Sequence, residues 1–315
     1  MELLVGILLV CALSAAVLRH VVLSSAALST AGTVFCGVFL QALPFLALGV
    51  SVSGLIAVFV SPERLAHWLP RRAAVAVLVA GVGGAALPGC ECGSVPVARR
   101  LFGDGGATGA AALTFMLAAP AINPVVLVAT AVAFPDAPRM VLARLGASLL
   151  TAVIMGWTWS RWGRPGWVTR GLSAPSVRTE SRRVVFAEAA RHDFLHAASY
   201  LVLGAGAAAL LHVLAPSWLF THPAADQILG VALMAVLAVV LALCSEADAF
   251  VAAGMTMVPL LPRLVFLVVG PAVDIKLFAM QAGMFGRSFA VRFAPCTLVV
   301  ATASACAVGL LVLGG

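Results

Sequence analysis

Two cysteines flank a glutamate in the stretch Pro88-Gly89-Cys90-Glu91-Cys92-Gly93-Ser94-Val95-Pro96. Thiolates bind soft acceptors such as trivalent arsenic, Cu(I) or zinc. In an extended backbone Cys90 and Cys92 point the same way, so one soft metal ion could bridge them. Pro88 and Gly89 are expected to end the preceding helix, and Gly93 and Pro96 to keep the following backbone irregular. The structural alternative is a pair of packing cysteines in a glycine-rich helix crossing.

A second polar stretch, Cys244-Ser245-Glu246-Ala247-Asp248, interrupts another apolar run. Ionised carboxylates cost several kcal/mol among lipid-facing residues unless paired or hydrated, so Glu246 and Asp248 call for a role. They could relay protons, neutralise a cation, or pair with an arginine such as Arg99 or Arg100; a short hydrophilic loop is the plainer reading. Asp274 and Lys276 stand in an otherwise apolar segment after Pro271, either as a site or as a structural ion pair. Asn123 stands between Pro120 and Pro124 in a similar setting. Each proline releases backbone carbonyls upstream, and each Asn or Asp can cap the helix half that follows. Such half-helix ends suit substrates or ions. Asn123, Asp274, Cys90, Cys92 and Cys244 are therefore the candidate substrate contacts. Glu91, Glu246, Asp248, Asp274 and Lys276 are the candidates for proton coupling. His192 and His196, one helical turn apart, read as interfacial rather than metal-binding.

The elements that position these groups must lie in lipid. Of 315 residues, 63% are hydrophobic and only 10% charged, against roughly 25% charged in soluble domains. The net charge of +7 comes from 19 basic residues, Lys276 being the single lysine. The arginines collect between apolar runs, as in cytoplasmic loops under the positive-inside rule. Basic residues interleaved with aromatic ones for stacking bases are missing, which excludes nucleic acid as a partner. HExxH, GxxxxGK[ST] and GxSxG do not occur, which excludes zinc proteases, P-loop ATPases and serine hydrolases of those types. No cofactor is implied.

Apolar segments fall at about 3–18, 31–60, 73–90, 106–134, 138–159, 194–215, 227–244, 259–282 and 294–313. They predict an all-α polytopic bundle of about 8–10 spans, several of them broken. Glu2 before the first run argues for an uncleaved first span rather than a signal peptide. Segment 39–59 aligns with 194–214 at an offset of 155, and 113–123 with 264–274 at an offset of 151, placing Pro120 on Pro271 and Asn123 on Asp274. Two internal repeats are therefore expected: a first span and linker over 1–30, repeats over 31–159 and 194–315, and a basic cytoplasmic connector over 160–193.

PGCECGSVPVARRL, LTFMLAAPAINPVVL, LCSEADAFVAA and VFLVVGPAVDIKLFAM, in that order, resemble the predicted bacterial permease family that includes YraQ and the organoarsenical efflux permease ArsP. The resemblance runs from about Phe39 to Arg292. The family's CxCG followed by a small residue and proline is matched by Cys90, Cys92, Gly93 and Pro96. The resemblance implies a multi-spanning permease of the cytoplasmic membrane, with the cysteine motif in the path of a thiophilic cargo. Together these readings give a gradient-driven exporter of a thiophilic small molecule or soft metal ion, not an enzyme, acting alone, as a homo-oligomer or with a partner subunit. A membrane thiol–disulfide oxidoreductase and a non-transporting subunit of a stress-response complex are the alternatives.

Overall fold

The structure, a computed structural model, describes residues 26–59, 72–86, 91–102, 107–168, 182–214 and 227–314. Among the described residues every regular element is helical, which is how a backbone without water satisfies its own N–H and C=O groups. Among the described residues six α-helices lie in the first half: α1 (Ala26–Phe59), α2 (Ala73–Gly83), α3 (Glu91–Leu101), α4 (Ala107–Ile122), α5 (Pro124–Ala133) and α6 (Arg139–Trp162). Six form the second: α7 (Arg182–Leu214), α8 (Gln227–Leu241), α9 (Ala247–Gly254), α10 (Leu260–Ala272), α11 (Ile275–Met284) and α12 (Arg287–Val312). The chain is a multi-pass membrane protein.

Six stretches are long and apolar enough to cross: Leu28–Ile56, Thr108–Ala133, Arg139–Trp162, Arg183–Leu210, Leu260–Met284 and Arg287–Val312. Two of these are broken helices, α4–α5 and α10–α11. The expected spans at 73–90 and 227–244 are shorter than the sequence suggested, because α2 has 11 residues and α8 has 15. At 1.5 Å per residue they reach about 16 and 22 Å into about 30 Å of hydrocarbon. The expected span at 3–18 lies outside the described residues. Helix α7 begins at Arg182, inside the segment expected to be connector, because its charged first turns continue the helix past the apolar run.

Contacts fix the directions of the helices. Gly81 lies against Thr114 and Gly84 against Ala118, so α2 runs parallel to α4. Ser94 meets Met116 and Phe102 meets Thr108, so α3 runs antiparallel to α4. Helices α2 and α3 are therefore the arms of a hairpin that turns beside the middle of the first broken span. In the second half α8 packs along α10, and its end meets the α10–α11 break through the Ala242 and Leu243 carbonyls. The start of α9 lies beside Gly270 near the end of α10, and a short link returns its other end to the start of α10. This is a second hairpin, α8–α9, again turning beside a break.

Small residues allow the close crossings, as in other membrane bundles. A Cβ on Gly93 would stand 2.7 Å from the Phe45 carbonyl oxygen, and one on Gly49 would meet the Gly93 backbone. Helices α1 and α3 thus touch backbone to backbone.

Candidate functional site

The site is built where two hairpin tips meet two helix breaks. At the first break Asn123 is extended (φ −69°, ψ 154°), and its Oδ1 accepts from the Val126 N–H at 2.9 Å, with Pro124 opening α5. Pro120 has no N–H to give the Met116 carbonyl, and that oxygen accepts instead from Ser94 Oγ at 3.1 Å. The proline that weakens α4 thereby fastens the first hairpin to it. At the second break Pro271 precedes Val273 and Asp274, and Asp274 Oδ1 accepts from the Leu277 N–H at 2.6 Å. Both breaks end in a side-chain cap, which satisfies donors that lipid cannot.

Lys276, on the first turn of α11, carries its ammonium into the centre of the bundle with no exposed surface. Its Nζ pairs with Glu91 at the start of α3 and with Asp274 Oδ2 at 3.1 Å. It also donates to the carbonyls of Ala242 at 2.9 Å and Leu243 at 3.0 Å, where α8 ends. One ammonium therefore touches the tips of both hairpins. Gly204 of α7 makes room for it, since a Cβ there would come within 2.6 Å of Lys276 Cα. Ala242 itself sits at φ 47°, in the left-handed region that residues with a side chain rarely adopt. Cys92 and Cys244, each next in sequence to a residue that this ammonium holds, are both buried.

The second hairpin is held differently. Arg144, fully buried on α6, sends Nη2 to Asp248 Oδ1 at 2.9 Å, to Oδ2 at 3.1 Å and to the Ser245 carbonyl at 2.9 Å. Its Nη1 donates to Thr130 Oγ1 at 2.7 Å. Between the two clusters stands Glu246. Its carboxylate oxygens are buried and have no hydrogen-bond partner, and it feels the charges of Glu91, Arg144 and Lys276. Four carboxylates and two cations gather in this centre.

Several expectations change. Residues 91–101 are helical, so Gly93 and Pro96 do not keep the backbone irregular. Gly93 is needed for the contact with α1, and Pro96 removes a single bond in the second turn of α3, which the helix tolerates. Cys92 is then a helix residue rather than part of an extended stretch. Pro88, Gly89 and Cys90 lie outside the described residues. The partner of Asp248 is Arg144, not Arg99 or Arg100. Arg100 instead pairs with Asp193 at 3.0 Å, and Ser53 donates to the same carboxylate at 2.8 Å. Arg144 was overlooked, although an arginine alone in the apolar run 140–160 is itself a signal for an intramembrane site. Among the described residues no three His, Cys, Asp or Glu side chains gather as a metal site. His192 and His196 stack with ring centroids 5.9 Å apart, with His192 Nδ1 3.6 Å from Asp193.

A separate cavity of about 70 Å³ lies at the connector end between α6 and α12, lined by Met155, Trp159, Trp167, Phe289, Arg292 and Cys296 among others. It is apolar and remote from the charged centre.

A family model described as a predicted permease (ArsP_1) matches residues 27–310. UPF0718 protein YcgR of Bacillus subtilis (strain 168) is 33% identical over 265 residues, covering 82% of this chain and 89% of that protein. A Streptococcus mutans serotype c (strain ATCC 700610 / UA159) protein named "Putative two-component membrane permease complex subunit" is 30% identical over 268 residues, covering 82% and 88%. No solved structure matches. The chain belongs to the ArsP_1 family of predicted permeases.

Proposed function

We propose that the chain is a gradient-driven exporter in which two related halves enclose a passage through the Lys276 centre. The related halves are supported by the order of helix lengths. The first half runs 34, 11, 11, 16, 10 and 24 residues. The second runs 33, 15, 8, 13, 10 and 26. Broken helices whose capped ends face one another between two halves are a recurring way to build a transport site at mid-membrane. The observation that carries the reading is the buried ammonium touching both hairpin tips, with the buried thiols of Cys92 and Cys244 one residue along the chain from two of its contacts.

The cargo we favour is a thiophilic species, such as a trivalent arsenical or a soft metal ion, held by Cys92 and Cys244 with Cys90. Asn123 and Asp274 supply polar contacts at the two breaks. A centre with more carboxylates than cations disfavours an oxyanion as cargo. Glu91, Glu246, Asp248, Asp274 and Lys276 are the groups through which a proton gradient could act.

The test uses everted vesicles carrying the wild type or Cys92→Ser, assayed for accumulation of trivalent arsenicals and soft metals with and without a proton gradient. The expected result is gradient-dependent accumulation that Cys92→Ser abolishes. Accumulation of none of these species, by this chain alone or coexpressed with its native partner, would overturn the cargo and the exporter reading together. The Streptococcus relative's name favours a second reading, in which this chain transports only alongside a partner subunit. In that case vesicles containing this chain alone would be inert, and coexpression of its native partner would restore uptake.

A further inference from the structure

We infer that the two hairpins enter the membrane from opposite faces, which makes the halves an inverted repeat and gives each face its own gate to one central site. The gate part rests on the permease reading; the opposed placement stands on helix directions alone. Helix α4 is antiparallel to α6, because Thr114 lies against Gly156 while Gly109 lies against Trp159. Helix α6 is antiparallel to α12, because Gly146 meets Val308 and Trp159 meets Phe289. Helix α12 is antiparallel to α10, because Gly309 lies against Leu261. Three reversals leave α10 antiparallel to α4, so the two broken spans cross in opposite senses. The α2–α3 hairpin opens at the α4 start and the α8–α9 hairpin at the α10 start. Their open ends therefore lie on opposite faces, and their tips meet halfway.

Parity requires the same answer. Among the described residues each half contributes three of the six full crossings and one hairpin that returns to its own side. An odd number of crossings brings the second half in from the face opposite to the first. Two breaks beside one ammonium are then equivalent positions seen from either side of the membrane.

Charge says which face is which. Arg72, Arg100, Arg161, Arg164, Arg287 and Arg292 all stand at the end where the first hairpin opens, whereas Arg139 and Arg263 stand at the other. Basic residues stay on the cytoplasmic side. Aromatic rings mark the same end, with Phe102 against Trp159 and Phe285 at 5.7 Å. The first hairpin therefore faces the cytoplasm and the second faces outward. Each tip is clasped by a cation of the other half, Glu91 by Lys276 and Asp248 by Arg144. Releasing one clasp at a time would open the centre to one face at a time.

The link after α5 and the link after α11 hold corresponding places in the two halves, so they discriminate directly. Asp136→Cys and Arg287→Cys, both at exposed positions, would be labelled with a membrane-impermeant maleimide in intact spheroplasts and after lysis, above the wild-type background. The expected result is labelling of Asp136→Cys in intact spheroplasts and of Arg287→Cys only after lysis. Labelling of both from the same face would overturn the inverted repeat, and the reverse pattern would overturn the cytoplasmic placement of the first hairpin. Met257→Cys, outward, and Arg164→Cys, inward, repeat the test should either first variant fail to accumulate. Labelling needs no cargo, so its failure is separate from failure in the vesicle assay.

Discussion

The first hairpin is clasped by a lysine and the second by an arginine, and the two cations hold their partners in different ways. Arg144 spreads Nη1 and Nη2 over a carboxylate, a carbonyl and a hydroxyl in one planar arrangement, a geometry that fixes position as well as charge. Lys276 is a point charge on a flexible stem, with three protons for two carboxylates and two carbonyls. It can trade one acceptor for another without leaving the cluster. The arginine clasp is the stiffer of the two, and the lysine clasp the one that lets go more readily. The difference also explains why the lysine sits where both tips converge.

The strongest way to break the comparison is to remove each cation in turn. Lys276→Met strands two buried carboxylates and Arg144→Met strands one. A lone buried charge costs about 3–5 kcal/mol, and a domain's whole stability is about 5–15 kcal/mol. Lys276→Met should therefore fail to accumulate in membranes, while Arg144→Met accumulates with a stability lower by about 3–5 kcal/mol. Folded protein recovered by size exclusion in detergent and thermal unfolding would check both. Adding Glu91→Gln and Asp274→Asn to Lys276→Met should restore accumulation; a triple variant that stays absent would mean that packing, not charge, dominates the centre.

A smaller effect separates the two hairpins by contact rather than charge. Gly93→Ala drives a methyl into the Phe45 carbonyl and should cost about 1–3 kcal/mol. Gly270→Ala beside the second hairpin meets Asp248 at an ordinary 3.6 Å and should leave the melting temperature nearly unchanged. Equal losses would show that the α1–α3 crossing is no tighter than its counterpart.

The two breaks can be compared through their caps. Asn123→Ala removes one cap and should cost about 1 kcal/mol. Asp274→Ala should exceed it in the same unfolding assay, because it takes a partner from Lys276 as well.

Much of this was legible in the chain. Proline followed closely by Asn123 or Asp274 announced the breaks and their caps, because those side chains act on donors three residues away. Lys276 beside Asp274 announced a polar centre for the same local reason. The hairpins were not legible. A run such as 73–90 has the composition of a span, and only the neighbours of Gly84 and Ser94 reveal that it turns back. The Arg144–Asp248 pair joins residues 104 apart in sequence, and no periodicity encodes a partner at that distance. Gly93 and Pro96 misled because both usually mark irregular backbone, whereas here a helix crossing needed the glycine and a short helix tolerated the proline.

Ala242 gives the Lys276 clasp a mechanical side. A left-handed alanine costs roughly 1–2 kcal/mol relative to its relaxed backbone, and its own carbonyl is one of the oxygens that the ammonium holds. The end of α8 is thus a wound spring with the lysine as its catch. In the two-gate scheme inferred above, loss of that contact would let the Ala242 peptide relax and shift the second hairpin, so that an event at one gate would be felt at the other without any ligand spanning the distance.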